Sequence, residues 1–205
     1  MISKPHTAEE KPLLVQYPSW TLKTLRNLKM DPSRIIAGNG FLRREASTLL
    51  TGGTGIGKSV MVEQWAICLA AGLPLLGRIA VPKKCRVFYM GSQNDPETLK
   101  RDCASISAAL GVKDTDVEDR LDMRYVPGLS SELFYDLMGE IFSMKKKPDV
   151  LIVDPYQDFI GDASVNEDNK FFAWRRVVDK LITENNCSFI TLPPSWLASS
   201  CGAEL

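Results

Sequence analysis

Short apolar runs alternate with longer amphipathic ones along most of this chain. "STLLTGG" (47–53) is a brief apolar stretch that runs into glycines, as a strand entering a turn does. "GKSVMVEQWAICLAAG" (57–72) is apolar on nearly every face from Val60 to Ala71, which predicts a buried helix closed by Gly72 as a C-cap. "CRVFYMG" reads as the next strand. "DPETLKRDCASISAALG" (95–111) reads as a helix with Asp95 as N-cap, Pro96 at its first position and Gly111 at its end. "RLDMRYV" (120–126) alternates like a strand. "SSELFYDLMGEIFSMKKK" is helical, with its three lysines expected in the last turn, where they suit the helix dipole. "PDVLIVD" is a fully apolar strand, "NEDNKFFAWRRVVDKLITENN" a helix and "CSFITL" a last strand. Strands alternating with helices predict an α/β fold, a parallel sheet with helices on both faces.

Outside this alternation the pattern weakens. Residues 1 to about 15 read as a tail. "SWTLKTLRNLKM" (19–30) spaces Leu22, Leu25 and Leu28 helically, with basic residues between them. It fits an amphipathic helix on the domain surface, and also a basic helix that touches nucleic acid. The expected organisation is a tail and helix over 1–30, one domain over 31–192 and an irregular tail over 193–205. The longest predicted loop, "YQDFIGDASVNEDN" (156–169), is of the length that often carries function.

Composition narrows the function classes. The 205 residues suffice for one sizeable α/β core. With 25 basic and 25 acidic residues the formal net charge is zero, so there is no global basic footprint for nucleic acid, although a local patch is compatible with it. The basic pair Arg43 and Arg44 reads as part of a solvated loop. Apolar runs such as "VLIV" are too short to span a bilayer, and the N-terminus lacks a signal-peptide core, so no membrane partner is expected. Five cysteines without a C-x-x-C pair argue against a zinc site or a disulfide framework and fit a reducing, cytoplasmic setting. The single histidine, His6, sits in the polar tail, so no serine or cysteine triad built on histidine can be assembled.

The sharpest chemical signal is "GGTGIGKS" (52–59). It satisfies G-x-x-x-x-G-K-[ST] between a predicted strand and a predicted helix, the context that pattern needs. Gly52, Gly55 and Gly57 let the backbone turn so that successive N–H groups face inward around a phosphate chain. The expected nucleotide-binding residues are Gly52, Gly53, Thr54, Gly55, Ile56, Gly57, Lys58, Ser59 and Val60. Lys58 would give a full charge to the β and γ phosphates. Ser59 would offer a hydroxyl to Mg²⁺, a hard ion that prefers oxygen. A second metal ligand should end a neighbouring strand. Asp154 closes "PDVLIVD", at the carboxyl end where ligands of open parallel sheets lie. Asp149 starts that strand and so lies at the wrong end. The expected ligands are therefore ATP and Mg²⁺, with Ser59 and Asp154 at the metal.

A further question sits at "VFYMGSQND" (87–95), where an apolar strand stops in two amides, Gln93 and Asn94, before the first acid. Two readings are open: an ordinary strand end, and a changed active site. With "GFLRRE" before the P-loop, "SQND" after the second strand and "DPYQDFIGD" after the third, the chain resembles the RecA-type, AAA-family ATPases related to the RepA hexameric replicative helicase. The resemblance runs from about "IIAGNGFLRRE" to "CSFIT". It implies ATP hydrolysis coupled to movement on DNA, usually in a homo-oligomeric ring whose subunits supply basic residues to one another's γ-phosphates. It also implies a water-polarising glutamate where this chain has Gln93. An amide can orient water but cannot accept its proton, and general-base help is worth about 10²–10⁴-fold. Lys58, Gln93 and Asp154 are thus the expected catalytic set, with slow hydrolysis. Asp95 and Glu97 are poor substitutes, one fitting an N-cap and the other lying within the helix. The resemblance further implies histidine and lysine sensors after the last strand, followed by DNA-contacting loops. Here Pro193, Pro194 and a short tail follow instead, as in a C-terminally truncated member or a lineage variant. A nucleotide-gated binding module, or a truncated remnant, without efficient turnover is the alternative function.

Overall fold

The computed structural model describes residues 19–159 and 167–192. The described residues fall into two units divided after Pro32. The tails, His6, Pro193 and Pro194 lie outside the described residues, as do residues 160–166 of the long loop.

In the first unit, helix α1 (Leu22–Arg26) is shorter than its leucine spacing predicts. Thr21 and Thr24 cap it reciprocally at its start. It has no buried residue, and Leu22, Leu25 and Leu28 are all exposed.

The second unit opens with a small hairpin of β1 (Ile35–Ala37) and β2 (Leu42–Arg43). These strands are too short for period-two alternation to register in the sequence. The main elements then follow as β3 (Ser47–Leu49), α2 (Lys58–Ala71), β4 (Val87–Gly91), α3 (Pro96–Leu110), α4 (Asp114–Val117) and β5 (Leu121–Tyr125). After them come α5 (Ser131–Ser143), β6 (Val150–Asp154), α6 (Glu167–Glu184) and β7 (Ser188–Thr191). The predicted strands and helices of this unit are all present, with ends moved by a few residues.

Five strands form one sheet in the order β3-β7-β6-β4-β5, and every pairing in it is parallel. The chain passes from β3 to β4 across a gap that β6 and β7 later fill. Alternate residues of each strand point to opposite faces. Val87, Tyr89, Val150 and Ile152 join the cluster that contains α2, with Leu99 of α3 packed against it. Phe88, Met90, Leu151 and Val153 join a second cluster with α5 and α6. The sheet is therefore covered on both faces, which is why β4 and β6 are buried along their whole length.

Two sequence expectations are corrected. The three lysines do not lie in the last turn of α5: the helix ends at Ser143, since Met144 is extended and breaks the helical backbone before Lys145 is reached. Arg44 is not a solvated loop residue. It bonds Asp149 at 2.6 Å and the Asn186 carbonyl at 2.9 Å. Asp149 also accepts from the Arg86 backbone N–H at 2.8 Å. The acid at the start of β6 thus fastens the far end of the sheet, away from the glycine-rich loop.

The second cluster centres on Trp174, whose ring stacks on Tyr156 at 5.2 Å and meets Phe134 and Phe189 at 5.6 Å. Trp174→Ala should cost about 3–5 kcal/mol in urea unfolding. A loss under about 1 kcal/mol, the size of a surface change, would show that α6 does not hold this face.

Candidate functional site

The site forms where β3, β4, β6 and β7 end together. β3 runs into the glycine-rich loop, and α2 starts at Lys58. Its N-cap is Gly57, at φ +84, in the left-handed region that a side chain would strain. α2 has no side-chain cap and no acid in its first turn. Its first N–H groups and the positive end of its dipole are left for an anion. A cavity of about 700 Å³ opens here, within the range of small-molecule sites. Thr54, Gly55, Gly57, Lys58, Ser59, Val60, Gln93 and Asp154 all line it. Gly52, Gly53 and Ile56 do not. The Gly52 and Gly53 carbonyls accept from Lys58 Nζ at 3.0 and 2.8 Å, so the lysine folds back over its own loop. Ile56 points outward, 66% exposed.

Asp154 is buried at the end of β6. Burial pushes its carboxyl above the usual carboxylate range, against hydrogen bonds from Ser59 and Tyr89 and the nearby Lys58 charge. The Tyr89 hydroxyl donates to Asp154 Oδ2 at 3.3 Å. Gly91 is opposite Asp154 in the sheet, and a Cβ there would meet the Tyr89 hydroxyl at 2.9 Å. Glycine thus makes room for the tyrosine to reach the acid. A serine hydroxyl touching a carboxylate, next to an uncapped helix start and an ammonium, is a donor set of the kind Mg²⁺–phosphate requires. The residues present therefore fit ATP and Mg²⁺.

β4 ends at Gly91, so Gln93 lies two residues beyond the strand, exposed in the cavity wall. Asp95 accepts from the N–H groups of Glu97 and Thr98 and from the Thr98 hydroxyl, as an N-cap does. These bonds hold its carboxyl below the usual range.

Sequence reasoning missed part of this neighbourhood. Thr98, Arg101 and Asp102 also line the cavity, three to four residues apart on one face of α3. Ser92 Oγ donates to Asp158, in the short 3-10 turn Tyr156–Phe159 after β6. Glu63, on α2, is fully buried and accepts from Asn94 Nδ2 at 2.9 Å. Its signal was visible as a lone acid in an otherwise apolar helix.

An AAA-domain family model matches residues 11–192, most of the chain. The chain belongs to that family of P-loop ATPases. No curated protein matches it. The AAA domain is a nucleotide-binding P-loop ATPase fold, and the cavity above is where its glycine-rich loop ends. Among the described residues, no helix is long and apolar enough to cross a membrane.

The AAA domain holds an unusual acid in Glu63. Burial, with Asp102 and Asp154 nearby, raises its carboxyl from 4.5 to about 7, against the Asn94 and Tyr89 hydrogen bonds. The folded state thus favours the protonated form, and stability falls as pH rises from 4.5 through about 7. Glu63→Gln should therefore gain on the parent by about 2–3 kcal/mol between pH 5 and pH 8, read by urea unfolding at each pH. A stability difference independent of pH would show that Glu63 titrates as an ordinary surface acid.

Proposed function

We propose that this AAA domain binds ATP with Mg²⁺ and hydrolyses it slowly, as an ATPase of the replicative helicase or recombinase type. The observation that carries the reading is one cavity wall in which Lys58, Ser59, Gln93 and Asp154 meet. Lys58 would leave the Gly52 and Gly53 carbonyls for the β and γ phosphates, exchanging two neutral acceptors for charged ones. The N–H groups from Gly55 to Val60 would wrap the same phosphates. Ser59 and Asp154 would hold Mg²⁺, which supplies charge neutralisation on the phosphate oxygens when bound. Gln93 would orient a water without taking its proton. Asp154 is already tied to Ser59, and Asp95 to its own helix start, which leaves neither free to act as the base.

The helicase or recombinase type rests on the phrases "GFLRRE", "SQND" and "DPYQDFIGD". DNA as partner and assembly into a homo-oligomeric ring come with that resemblance. The amide at position 93 also favours a second reading, a nucleotide-gated binding module.

Steady-state phosphate release from ATP–Mg²⁺ separates them, with Lys58→Ala as the blank. We expect slow turnover above the blank, raised by about 10²-fold or more in Gln93→Glu. No turnover in the parent, with turnover in Gln93→Glu, would favour the binding module. Nucleotide affinity unchanged in Lys58→Ala would overturn the phosphate site itself.

A further inference from the structure

Glu63 lies one helical turn beyond Ser59, on the same face of α2. Ser59 faces Asp154, and Glu63 faces Asn94 and the Tyr89 hydroxyl. A buried carboxyl at this position is costly. Leucine would fill a neighbouring volume more cheaply. Glu63 Oε1 does make one strong contact, at 2.9 Å, to the residue that follows Gln93.

The neighbours of Gln93 are tied to three different elements. Ser92 donates its N–H to the Asp154 carbonyl at 3.0 Å and its hydroxyl to Asp158, so it follows the end of β6. Asp95 caps α3. Asn94 is tied to α2, the helix that also begins with Lys58 and Ser59. Gln93 itself is exposed in the cavity between these anchors. Of the side-chain ties that hold this loop, the Glu63–Asn94 bond is the one that sets its distance from the phosphate-binding helix.

We propose that Glu63 is a positioning residue: through the Asn94 side chain it locks the loop bearing Gln93 to the P-loop helix, and so places the water-orienting amide. This rests on the ATPase reading above. Glu63 touches neither nucleotide nor water; it acts through Asn94. Loss of the lock should therefore lower kcat while leaving nucleotide binding in place, since misplacement by about 1 Å can cost 10²-fold in rate.

The test uses the full chain with Glu63→Leu, Asn94→Ala and the double variant. Glu63→Leu removes the lock and also the buried charge, so its effect on stability opposes its effect on rate. The half-exposed Asn94 gives a second variant that removes the same bond without changing a buried side chain. We expect each single variant to bind a fluorescent ATP analogue within about threefold of the parent and to lose about tenfold or more in kcat. The double variant should lose no more than either single one. Glu63→Gln keeps an acceptor for Asn94 and should recover part of the rate that Glu63→Leu loses. In the nucleotide-free protein, backbone amide exchange at Ser92, whose N–H donates to the Asp154 carbonyl, should quicken about tenfold in both single variants. Unchanged exchange and unchanged kcat in folded Asn94→Ala and Glu63→Leu would overturn the proposal, as would additive losses in the double variant. If the parent fails to bind the ATP analogue, the ATPase reading falls, and the exchange rates still decide whether Glu63 holds the loop.

Discussion

A carboxylate buried at the end of an apolar strand has to be paired, and most of this site is the answer to that constraint. Asp154 closes five fully buried residues of β6. Ser59 approaches it from the first turn of α2, and Tyr89 approaches it from β4 through the space that Gly91 leaves. These contacts bring the start of α2 to the end of β6. Lys58 and the N–H groups of the loop come with it, because Gly57 sets the entry to the helix. The glycine-rich loop and Asp154 therefore share one wall through packing, although β3 and β6 do not pair with each other.

The strand order explains why distant segments meet. β3 feeds α2, whose apolar faces pack on β4 and β6 residues from one side. β7 then slots between β6 and β3. Parallel pairing puts all the carboxyl ends together, and four of the five contribute a piece: the glycine-rich loop, Gln93, Asp154 and Leu192. The opposite end is fastened by Arg44 and Asp149. The sheet thus divides its charged residues between one end that binds itself and one end that opens into a cavity.

The fold was legible because its elements are long and apolar, so period and caps agree. Gly72 and Gly111 both end their helices in the left-handed conformation, and Asp95 and Pro96 start α3 as their chemistry requires. The phosphate-binding signal was legible because it is local: eight consecutive residues carry it. What stayed hidden was set by tertiary contact. Nothing in "SQND" states that Asn94 reaches a glutamate thirty-one positions earlier, and nothing in "VFYMG" states that Tyr89 turns toward Asp154. α1 falls short of its leucine spacing for a related reason. Leucine spacing alone predicts a longer helix, but a segment without buried residues has little packing to extend it beyond Arg26.

On the proposed function, the P-loop and Asp154 together make one metal-dependent nucleotide site. Calorimetric titration of the full chain with ATP, with and without Mg²⁺, tests it most directly when repeated on Asp154→Ala. We expect one ATP per chain, tighter with Mg²⁺ in the parent, and loss of that metal dependence in Asp154→Ala with residual metal-free binding kept. Equal affinity with and without Mg²⁺ in the parent, or an unchanged metal dependence in Asp154→Ala, would contradict it.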